Sequence, residues 1–585
     1  MDHSTATNPL DAPNRTHAWA RCMIDECVRS GVDTFFVSPG SRSTPLTTAV
    51  AQHPGAQSVL HVDERGGAFA ALGFARATER PAGWITTSGT AVANGMPAVA
   101  EAAQEGIPML LLTADRPPEL RGTGANQTID QVKLFGDHVR WSADVPPPSP
   151  DTPLASVLTT VDQALHHAQR PPGGPVHLNV MYRKPLHPVE QAFEIDDPAV
   201  QRWAGRRAPF TTYPVPTPHA ALPESLTEVV QQAERGLIVA GRLTNAEAYE
   251  LLDWARAQHW PVLPDITSQL RLSVKSPVVV PHAHHIAHHQ ADELRPDVVL
   301  HVGGRFVSKP MRHFLRDAEA RAYATIRPAP LRVDPDHRCT HHIETTVAAA
   351  MDALPTRTAT PASWNGQWQE ANDAVSDALA QRSENEELPP LSEPSVARAL
   401  SQHIPDTHAW MLASSMPIRD AQRYATAQGA NVPVFANRGA SGIDGTIATA
   451  TGISIARSAP TTLLIGDLAT WHDVNALALL KAHPVIAVVV NNDGGGIFHF
   501  LPIAEHSDVF EPHFTTPHGR SFKAIAEAFD LPYHQPSTRA EFADTYQAAC
   551  ERGASALIEV RTDRTENADV HTQLDAHVAA ALSDR

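Results

Sequence analysis

The sequence predicts an α/β protein with three domains, each a mostly parallel sheet flanked by helices. Its 585 residues allow three or four domains at about 100–200 residues each. In the first block the apolar, β-rich runs DTFFVSP, GWITTS, PMLLLTA and GPVHLNV alternate with alanine-rich helical stretches such as ERGGAFAALGFARATE. This alternation is typical of parallel strands that helices cover on both faces.

Proline-rich stretches divide the chain into three blocks, and each block shows this alternation of strands and helices. We expect a first domain over 1–190, a central domain over 210–355 and a third domain over 396–585. The passage 208–225 separates the first two domains. In the later blocks we predict buried strands at GLIVAGR, DVVLHVG and APLRVDP, and then at THAWMLASS, VPVFANR, TTLLIGD, PVIAVVVNND and SALIEV.

The overall composition restricts the class of protein. The formal charge is −18 and the acidic residues are scattered, which argues against binding to nucleic acid. No window reaches the roughly 18 continuous apolar residues that a membrane span needs, and the N-terminus does not resemble a secretory signal. Four cysteines in a chain of this length are consistent with a reduced, cytoplasmic protein.

Two strands of the third block end in groups that can bind a metal ion. TTLLIGD ends at Asp467, and PVIAVVVNND ends around Asn492, which Gly494 follows closely. Because parallel strands end at one edge of a sheet, a carboxylate, an amide oxygen and a carbonyl near Gly494 can meet there. Such oxygen ligands suit Mg²⁺, with Mn²⁺ as an alternative, that also binds phosphate. Taken alone, the glycines of NNDGGG are also consistent with an ordinary turn.

The pairing of GD, a helix and NN is similar to the signature of thiamine-diphosphate enzymes, with Leu468 in place of a usual glycine. In those enzymes a glutamate contacts the aminopyrimidine ring of the cofactor. Here Glu64 begins the helical stretch ERGGAFAALGFARAT, and TTSGTAVANGMPAVAEA downstream resembles a segment of the acetolactate-synthase class. Alone, Glu64 is better explained by interaction with the helix dipole. Together these features identify Glu64 as the candidate cofactor glutamate.

Five further segments are distinctive: SPGSRSTPL (38–46), TADRPPELRGTGANQTIDQ (113–131), SSMPIRD (414–420), NRGASGIDG (437–445) and GGGIFHFLP (494–502). They resemble one thiamine-diphosphate family, the 2-succinyl-5-enolpyruvyl-6-hydroxy-3-cyclohexene-1-carboxylate synthases of menaquinone biosynthesis. The resemblance implies a transferase that decarboxylates 2-oxoglutarate and adds the succinyl carbanion equivalent to isochorismate in a 1,4 fashion. It also implies the acetolactate-synthase-like fold, and a homodimer or homotetramer with active sites at the subunit interface.

The same resemblance, carried over position by position, assigns the site residues. The implied catalytic residues are Glu64, Arg42, Arg419 and Arg438. The implied cofactor contacts are Glu64, Ser415, Ile443, Asp467, Asn492, Gly494 and Ile497, of which Asp467, Asn492 and Gly494 bind the metal. The implied substrate contacts are Ser41, Arg42, Arg116, Gln127, Lys309, Arg419, Arg438, Phe498 and Leu501. Arginines suit dianionic substrates because a guanidinium pairs bidentately with a carboxylate.

Other interpretations stay open at this point. Another thiamine-diphosphate decarboxylase or carboligase shares the cofactor residues but handles smaller or less charged acceptors. A non-catalytic protein of this fold is expected to lack the key carboxylates, and a dinucleotide-binding dehydrogenase is expected to begin with GxGxxG, which is absent here. The histidine-rich segments PHAHHIAHHQ (281–290) and DHRCTHHIE (336–344) repeat no recognised metal-ligand spacing, so we interpret them as chance clusters among 32 histidines.

Overall fold

Three parallel sheets, each flanked by helices, make up the chain, which confirms the predicted fold class. The structure is a computed structural model that describes residues 8–214, 220–272, 274–356, 358–383 and 389–583. Every strand pair within these residues is parallel. Part of the proline-rich boundary, residues 215–219, lies outside the described residues.

The first sheet has six strands in the order β2-β1-β3-β4-β6-β5. All four strands predicted in this block are present, whereas the more polar β2 and β5 were not predicted. The strands are β1 (Thr34–Val37), β2 (Gln57–Leu60), β3 (Ala82–Thr86), β4 (Met109–Asp115), β5 (Trp141–Val145) and β6 (Pro175–Met181). The helices of this region are α1 (Arg15–Arg29), α2 (Thr44–Gln52), α3 (Glu64–Thr78), α4 (Thr90–Ala93), α5 (Met96–Glu105), α6 (Ala155–Gln169) and α7 (Pro198–Ala204).

The second sheet has five strands in the order β11-β10-β9-β7-β8. The strands are β7 (Gly236–Ala240), β8 (Val262–Pro264), β9 (Val298–Val302), β10 (Ala322–Arg327) and β11 (His341–Glu344), and the helices are α8 (Glu224–Gln231), α9 (Asn245–Gln258), α10 (Ala283–His289), α11 (Lys309–Asp317), α12 (Val347–Ala353) and α13 (Ala362–Ser383). The prediction of a strand at APLRVDP is wrong. That segment is a loop after β10, because its prolines lack the N–H groups that a strand within a sheet must donate.

The third sheet has six strands in the order β13-β12-β14-β15-β17-β16 and contains all five strands predicted in this block. The strands are β12 (Ala409–Leu412), β13 (Val434–Ala436), β14 (Thr461–Gly466), β15 (Val485–Asn491), β16 (Tyr533–His534) and β17 (Ala556–Arg561). The helices are α14 (Glu393–His403), α15 (Met416–Tyr424), α16 (Thr446–Arg457), α17 (Asp467–His472), α18 (Ser507–Phe510), α19 (Lys523–Ala528), α20 (Arg539–Arg552) and α21 (Arg564–Ser583). None of the helices in the described part of the chain combines the length and apolar character that crossing a bilayer requires.

Helix α16 belongs by sequence to the third block but packs against α3 of the first. The chain forms two compact units, and Gly439–Ser458 and Asp473–Ala482 belong to the unit that contains the first sheet. A Cβ atom on Gly73 of α3 would lie 2.1 Å from the backbone oxygen of Thr449, and one on Gly452 of α16 would lie 2.0 Å from that of Ala70. The two helices approach this closely because neither glycine carries a side chain.

Gly73→Ala is therefore expected to destabilise the protein by about 1–3 kcal/mol, since the added methyl group meets backbone atoms rather than a side chain that could move away. Thermal unfolding followed by circular dichroism measures the effect as a lower melting temperature. Gly366→Ala is the matched control, because Gly366 lies within α13 with no other atom near its Cβ position. There alanine is expected to stabilise the helix by about 0.5–1 kcal/mol. A Gly73→Ala protein that melts at or above the wild-type temperature would contradict this packing.

Candidate active site

Two strand ends of the third sheet bring the predicted metal ligands together. β14 and β15 are paired, and Asp467 and Asn492 follow them directly. The Asp467 carboxylate accepts hydrogen bonds from the Gly494 N–H through Oδ2 (2.8 Å) and from the Leu468 N–H through Oδ1 (2.7 Å). Burial raises the pKa of Asp467, and these hydrogen bonds oppose that increase.

Gly494 can only be glycine in this conformation. Its φ is +134°, and a Cβ atom would lie 1.9 Å from the backbone oxygen of Thr515. The Gly494 carbonyl, which we predicted as a metal ligand, accepts a hydrogen bond from the Gly496 N–H at 3.0 Å. A carbonyl oxygen has a second lone pair, so this bond leaves one position for a cation.

Two side chains next to these ligands were not predicted from the sequence. Glu393, the first residue of α14, is buried and its Oε1 accepts a hydrogen bond from Asn492 Nδ2 at 2.8 Å. His518 Nε2 lies 3.0 Å from Asp467 Oδ2. Glu393 precedes Asn492 by 99 positions and His518 follows Asp467 by 51, so no local pattern links these residues. The only sequence signal for Glu393 is a capping serine before a glutamate and a proline, which indicates a helix start.

In the first sheet, three of the predicted substrate residues lie around Ser88. The Arg116 guanidinium donates to Ser88 Oγ, and Gln127 Nε2 donates to the Ser88 carbonyl at 2.9 Å. Arg42 is buried and donates to the Tyr182 carbonyl at 2.7 Å. Burial lowers the pKa of the Arg42 guanidinium, and the positive charge of Arg116 lowers it further. A bound carboxylate would relieve this repulsion between like charges.

Two other predicted residues of this unit, Ser41 and Glu64, are accessible. Ser41 is exposed at the start of the loop that carries Arg42. Glu64 is the first residue of α3, and its Oε2 accepts a hydrogen bond from Asn94 Nδ2 at 3.1 Å. Its carboxylate is half-buried rather than enclosed. Glu64 is therefore placed where a ligand from outside the unit can reach it.

The loop before α16, which carries Ile443, is held by two buried carboxylates that we did not predict. Glu101 of α5 accepts hydrogen bonds from the backbone N–H groups of Gly439 (2.8 Å) and Ala440 (2.6 Å). Asp473 accepts from the N–H groups at the start of α16, including that of Ile447 at 2.8 Å. Ile443 itself is half-buried. Its position therefore depends on groups that lie hundreds of residues apart in the chain.

A cationic cavity of about 730 Å³ lies in the other unit. Lys309 at the start of α11 and Arg419 of α15 line it, and three basic residues that we did not predict join them: Arg305, Arg312 and Arg332. Burial lowers the pKa of Arg419, and the nearby charge of Arg438 lowers it further. The structure thus brings together the predicted Lys309, Arg419 and Arg438.

A buried carboxylate that was also not predicted holds the loop from Arg305 to Lys309. Asp265 Oδ2 accepts a hydrogen bond from the Val307 N–H at 2.6 Å, and Asp265 is fully buried. The Arg305 guanidinium donates to the Arg438 carbonyl at 3.0 Å. These contacts hold the loop next to the segment that carries Arg438.

The remaining predicted residues lie on two turns of the same unit. Ser415 precedes α15 with a φ of +75°, a conformation that non-glycine residues rarely adopt and that often marks functional sites. Ile497, Phe498 and Leu501 follow the glycine turn after β15; the first two are half-buried and Leu501 is 43% exposed. Exposed apolar residues at a strand end are suited to contact a ligand or a partner.

Comparison with known protein families agrees with this arrangement. Residues 18–134 match the N-terminal TPP binding domain of thiamine pyrophosphate enzymes, 197–412 match the middle domain, and 415–560 match the C-terminal TPP binding domain. The chain belongs to the thiamine pyrophosphate enzyme family. Our domain limits of 1–190, 210–355 and 396–585 stay predictions.

The chain is also similar to curated members of this family over nearly its full length. Proteins named 2-succinyl-5-enolpyruvyl-6-hydroxy-3-cyclohexene-1-carboxylate synthase are 55% identical in Salinibacter ruber, over 98% of both chains, and 50% identical in Rubrobacter xylanophilus, over 96% of this chain and 98% of the relative. The relative with this name in Prosthecochloris aestuarii is 41% identical, over 96% and 97%. The family resemblance noted in the sequence is therefore confirmed.

The residues around Asn492 fit the Mg²⁺-diphosphate end of the family's cofactor. Asn492 Oδ1 is buried and accepts no hydrogen bond from any described residue, while Nδ2 is engaged by Glu393. A buried acceptor without a partner is costly, and a cation would satisfy it. Asp467, Asn492 and the Gly494 carbonyl offer the three oxygen ligands that Mg²⁺ prefers. They are the residues that would hold the metal.

Proposed function

We propose that this chain forms the product named in its relatives, 2-succinyl-5-enolpyruvyl-6-hydroxy-3-cyclohexene-1-carboxylate, by decarboxylating 2-oxoglutarate and adding the succinyl unit to isochorismate. Thiamine diphosphate, when bound, supplies the electron sink for the decarboxylation. We place the reaction in the cytoplasm, which is consistent with the free cysteines.

The cationic cavity is the observation that carries this proposal. Its lining includes five basic side chains and one acidic side chain, Asp334, although the chain as a whole has a formal charge of −18. Clustered cations repel one another and gain stability only when anions bind among them. Both proposed substrates are dianions. A carboligase that handled only small monoanions would have no use for so many arginines.

We assign separate tasks to the basic residues of the two units. Arg419 and Lys309 in the cationic cavity, together with the nearby Arg438, bind substrate carboxylates. The partial burial of Arg419 strengthens its pairing with an anion. Arg42 and Arg116, supported by Gln127, bind a carboxylate at the first sheet. Because a guanidinium fork fixes the orientation of a carboxylate plane, these contacts align the substrates as well as binding them.

Glu64, Ile443, Ser415 and Ile497 are assigned to the organic part of the cofactor. Glu64 holds or releases a proton at the pyrimidine ring, and its half-buried carboxylate is accessible for that contact. Ile443 is assigned as an apolar contact that would support the cofactor. The two buried carboxylates behind the Ile443 loop fix this support in place.

We further propose a homodimer or homotetramer in which Glu64 of one subunit and Asp467 of another share an active site. Leu60 at the end of β2 and Val62 just before α3 flank the approach to Glu64 and are 65% and 78% exposed. Large apolar side chains with this exposure, two residues apart, are typical of an interface. A second subunit is the partner that the family resemblance implies.

Incubation with 2-oxoglutarate and isochorismate tests the function. We expect CO₂ release from 2-oxoglutarate and formation of the succinyl adduct, both dependent on added thiamine diphosphate and Mg²⁺. Mass spectrometry identifies the adduct, and pyruvate serves as the control donor. CO₂ release from pyruvate with no reaction of 2-oxoglutarate would refute the proposal and favour the alternative of a smaller 2-oxoacid decarboxylase or carboligase.

A further inference from the structure

One histidine-rich segment forms a cluster with a distant carboxylate. His288 and His289 lie at the end of α10, and Asp575 lies on α21, the C-terminal helix, 286 residues after His289. His289 Nε2 lies 3.1 Å from Asp575 Oδ1, and His288 Nε2 lies 3.8 Å from Asp575 Oδ2. One ligand atom from each of the three residues falls within 4.8 Å of the others. We propose that His288, His289 and Asp575 bind a divalent transition-metal ion, of which Zn²⁺ best suits the donor set.

The distances are close to those of a tetrahedral site. Zn²⁺ binds imidazole nitrogen and carboxylate oxygen at about 2.0–2.2 Å, which places neighbouring ligand atoms about 3.4 Å apart. His289 lies 3.1 Å from Asp575 Oδ1 and His288 lies 3.8 Å from Asp575 Oδ2, while one ligand atom from each of the three residues lies within 4.8 Å of the others. Two imidazoles and one carboxylate are also a donor set that zinc sites commonly use, with water in the fourth position. His288, whose side chain is 49% exposed, is free to turn toward the ion.

The charges around the cluster are compatible with a bound cation. Burial lowers the pKa of His288, so its imidazole is neutral at neutral pH and keeps the lone pair that a metal requires. The hydrogen bond with His289 lowers the pKa of Asp575, which keeps the carboxylate ionised. Arg423, whose charge also lowers the pKa of His288, donates from Nε to His284 at 3.0 Å.

An ion can enter the cluster from solvent. His288 lines an open cavity of about 650 Å³, and its side chain is 49% exposed. Asp575 is 43% exposed, whereas His289 is mostly covered at 18%. The ion would link α10 of the central region to the C-terminal helix α21. It would therefore stabilise the folded chain, by a free energy that rises with the logarithm of the ion concentration above Kd.

Zinc titration of the full-length enzyme tests the site. The protein is saturated with thiamine diphosphate and Mg²⁺ so that the cofactor site is blocked, any affinity tag is removed, and Zn²⁺ binding is followed by calorimetry. We expect His289→Ala and Asp575→Asn to lose one Zn²⁺ equivalent or to bind it at least about tenfold more weakly. His187→Ala, an exposed histidine outside the cluster, is the matched control and should bind as the wild type does.

Two further measurements separate a metal site from a fold defect. Co²⁺ should give the visible absorption of tetrahedral coordination in the wild type and in His187→Ala. This absorption should be absent from His288→Ala. The half-exposed His288 side chain can be removed without unfolding the helix. Zn²⁺ should raise the melting temperature of the wild type and of His187→Ala only. Equal zinc stoichiometry and affinity in all the variants would overturn the proposal.

Discussion

Glu64→Gln is expected to lower turnover by at least about 100-fold while the affinity for thiamine diphosphate changes by no more than a few fold. The amide keeps the size and position of the carboxylate at the start of α3, and it can still pair with Asn94. It cannot hold and release a proton at the cofactor ring, and general acid–base contributions are typically worth about 10²–10⁴-fold. Steady-state rates and a fluorescence titration of the cofactor measure the two effects separately.

Glu224→Gln provides the matched control, because Glu224 is also the first residue of a helix, α8, and is exposed. If Glu64 served only the helix dipole, the two substitutions would have similar small effects. Mixing Glu64→Gln subunits with Asp467→Asn subunits extends the test to the assembly. Activity recovered in the mixture, beyond that of either variant, is expected if the active site is shared between subunits. Wild-type turnover in Glu64→Gln would contradict the assigned role.

Glu393→Gln is expected to raise the Mg²⁺ concentration needed for half-maximal cofactor binding by about 10–100-fold. Burial raises the pKa of Glu393 to about 7, so the prediction applies above that pH. There the ionised carboxylate can only accept hydrogen bonds, and Glu393 makes the Asn492 amide present Nδ2 to it and Oδ1 to the opposite side. The side-chain NH₂ of glutamine can donate to Asn492 Oδ1 instead, which allows the Asn492 amide to flip by about 180°. The ligand oxygen would then no longer face the metal.

Circular dichroism of the bound cofactor, recorded at increasing Mg²⁺ concentrations, measures this effect without relying on turnover. Glu527→Gln, at an exposed position of α19, is the control and should leave the Mg²⁺ dependence unchanged. Asn492→Ala should be at least as impaired as Glu393→Gln, since it removes the ligand itself. An unchanged Mg²⁺ requirement in Glu393→Gln would show that the amide is oriented by other contacts.

Sequence patterns predicted the parts of the fold that are determined by residues close together in the chain. Buried strands such as β14 and β15 are continuous apolar runs, and the residues at their ends, Asp467 and Asn492, meet because parallel strands terminate together. The strand prediction at APLRVDP was wrong because the apolar residues of this segment suggested a strand, whereas its prolines prevent one. β2 and β5 were missed because exposed polar positions interrupt their apolar runs.

The site residues that were not predicted form hydrogen bonds with groups that lie far away in the sequence. Glu393, Asp265, Glu101 and Asp473 are buried carboxylates, and each accepts at least one hydrogen bond from a backbone or amide group of another segment. A single sequence shows such a residue only as one acidic residue among 64. The histidine cluster was set aside for the same reason, because Asp575 completes it from another helix.

The packing of α16 against α3 also determines when this protein can fold during synthesis. The unit that contains the first sheet incorporates residues up to Ala482, so the ribosome must deliver more than four-fifths of the 585-residue chain before that unit is complete. Until then the glycine face of α3 has no α16 to cover it, and nascent chains with uncovered apolar surface are prone to aggregate. Excising residues 1–190 as an independent domain would leave the same face bare. Productive truncations of this enzyme must therefore keep the first sheet connected to α16 and to the segment Asp473–Ala482.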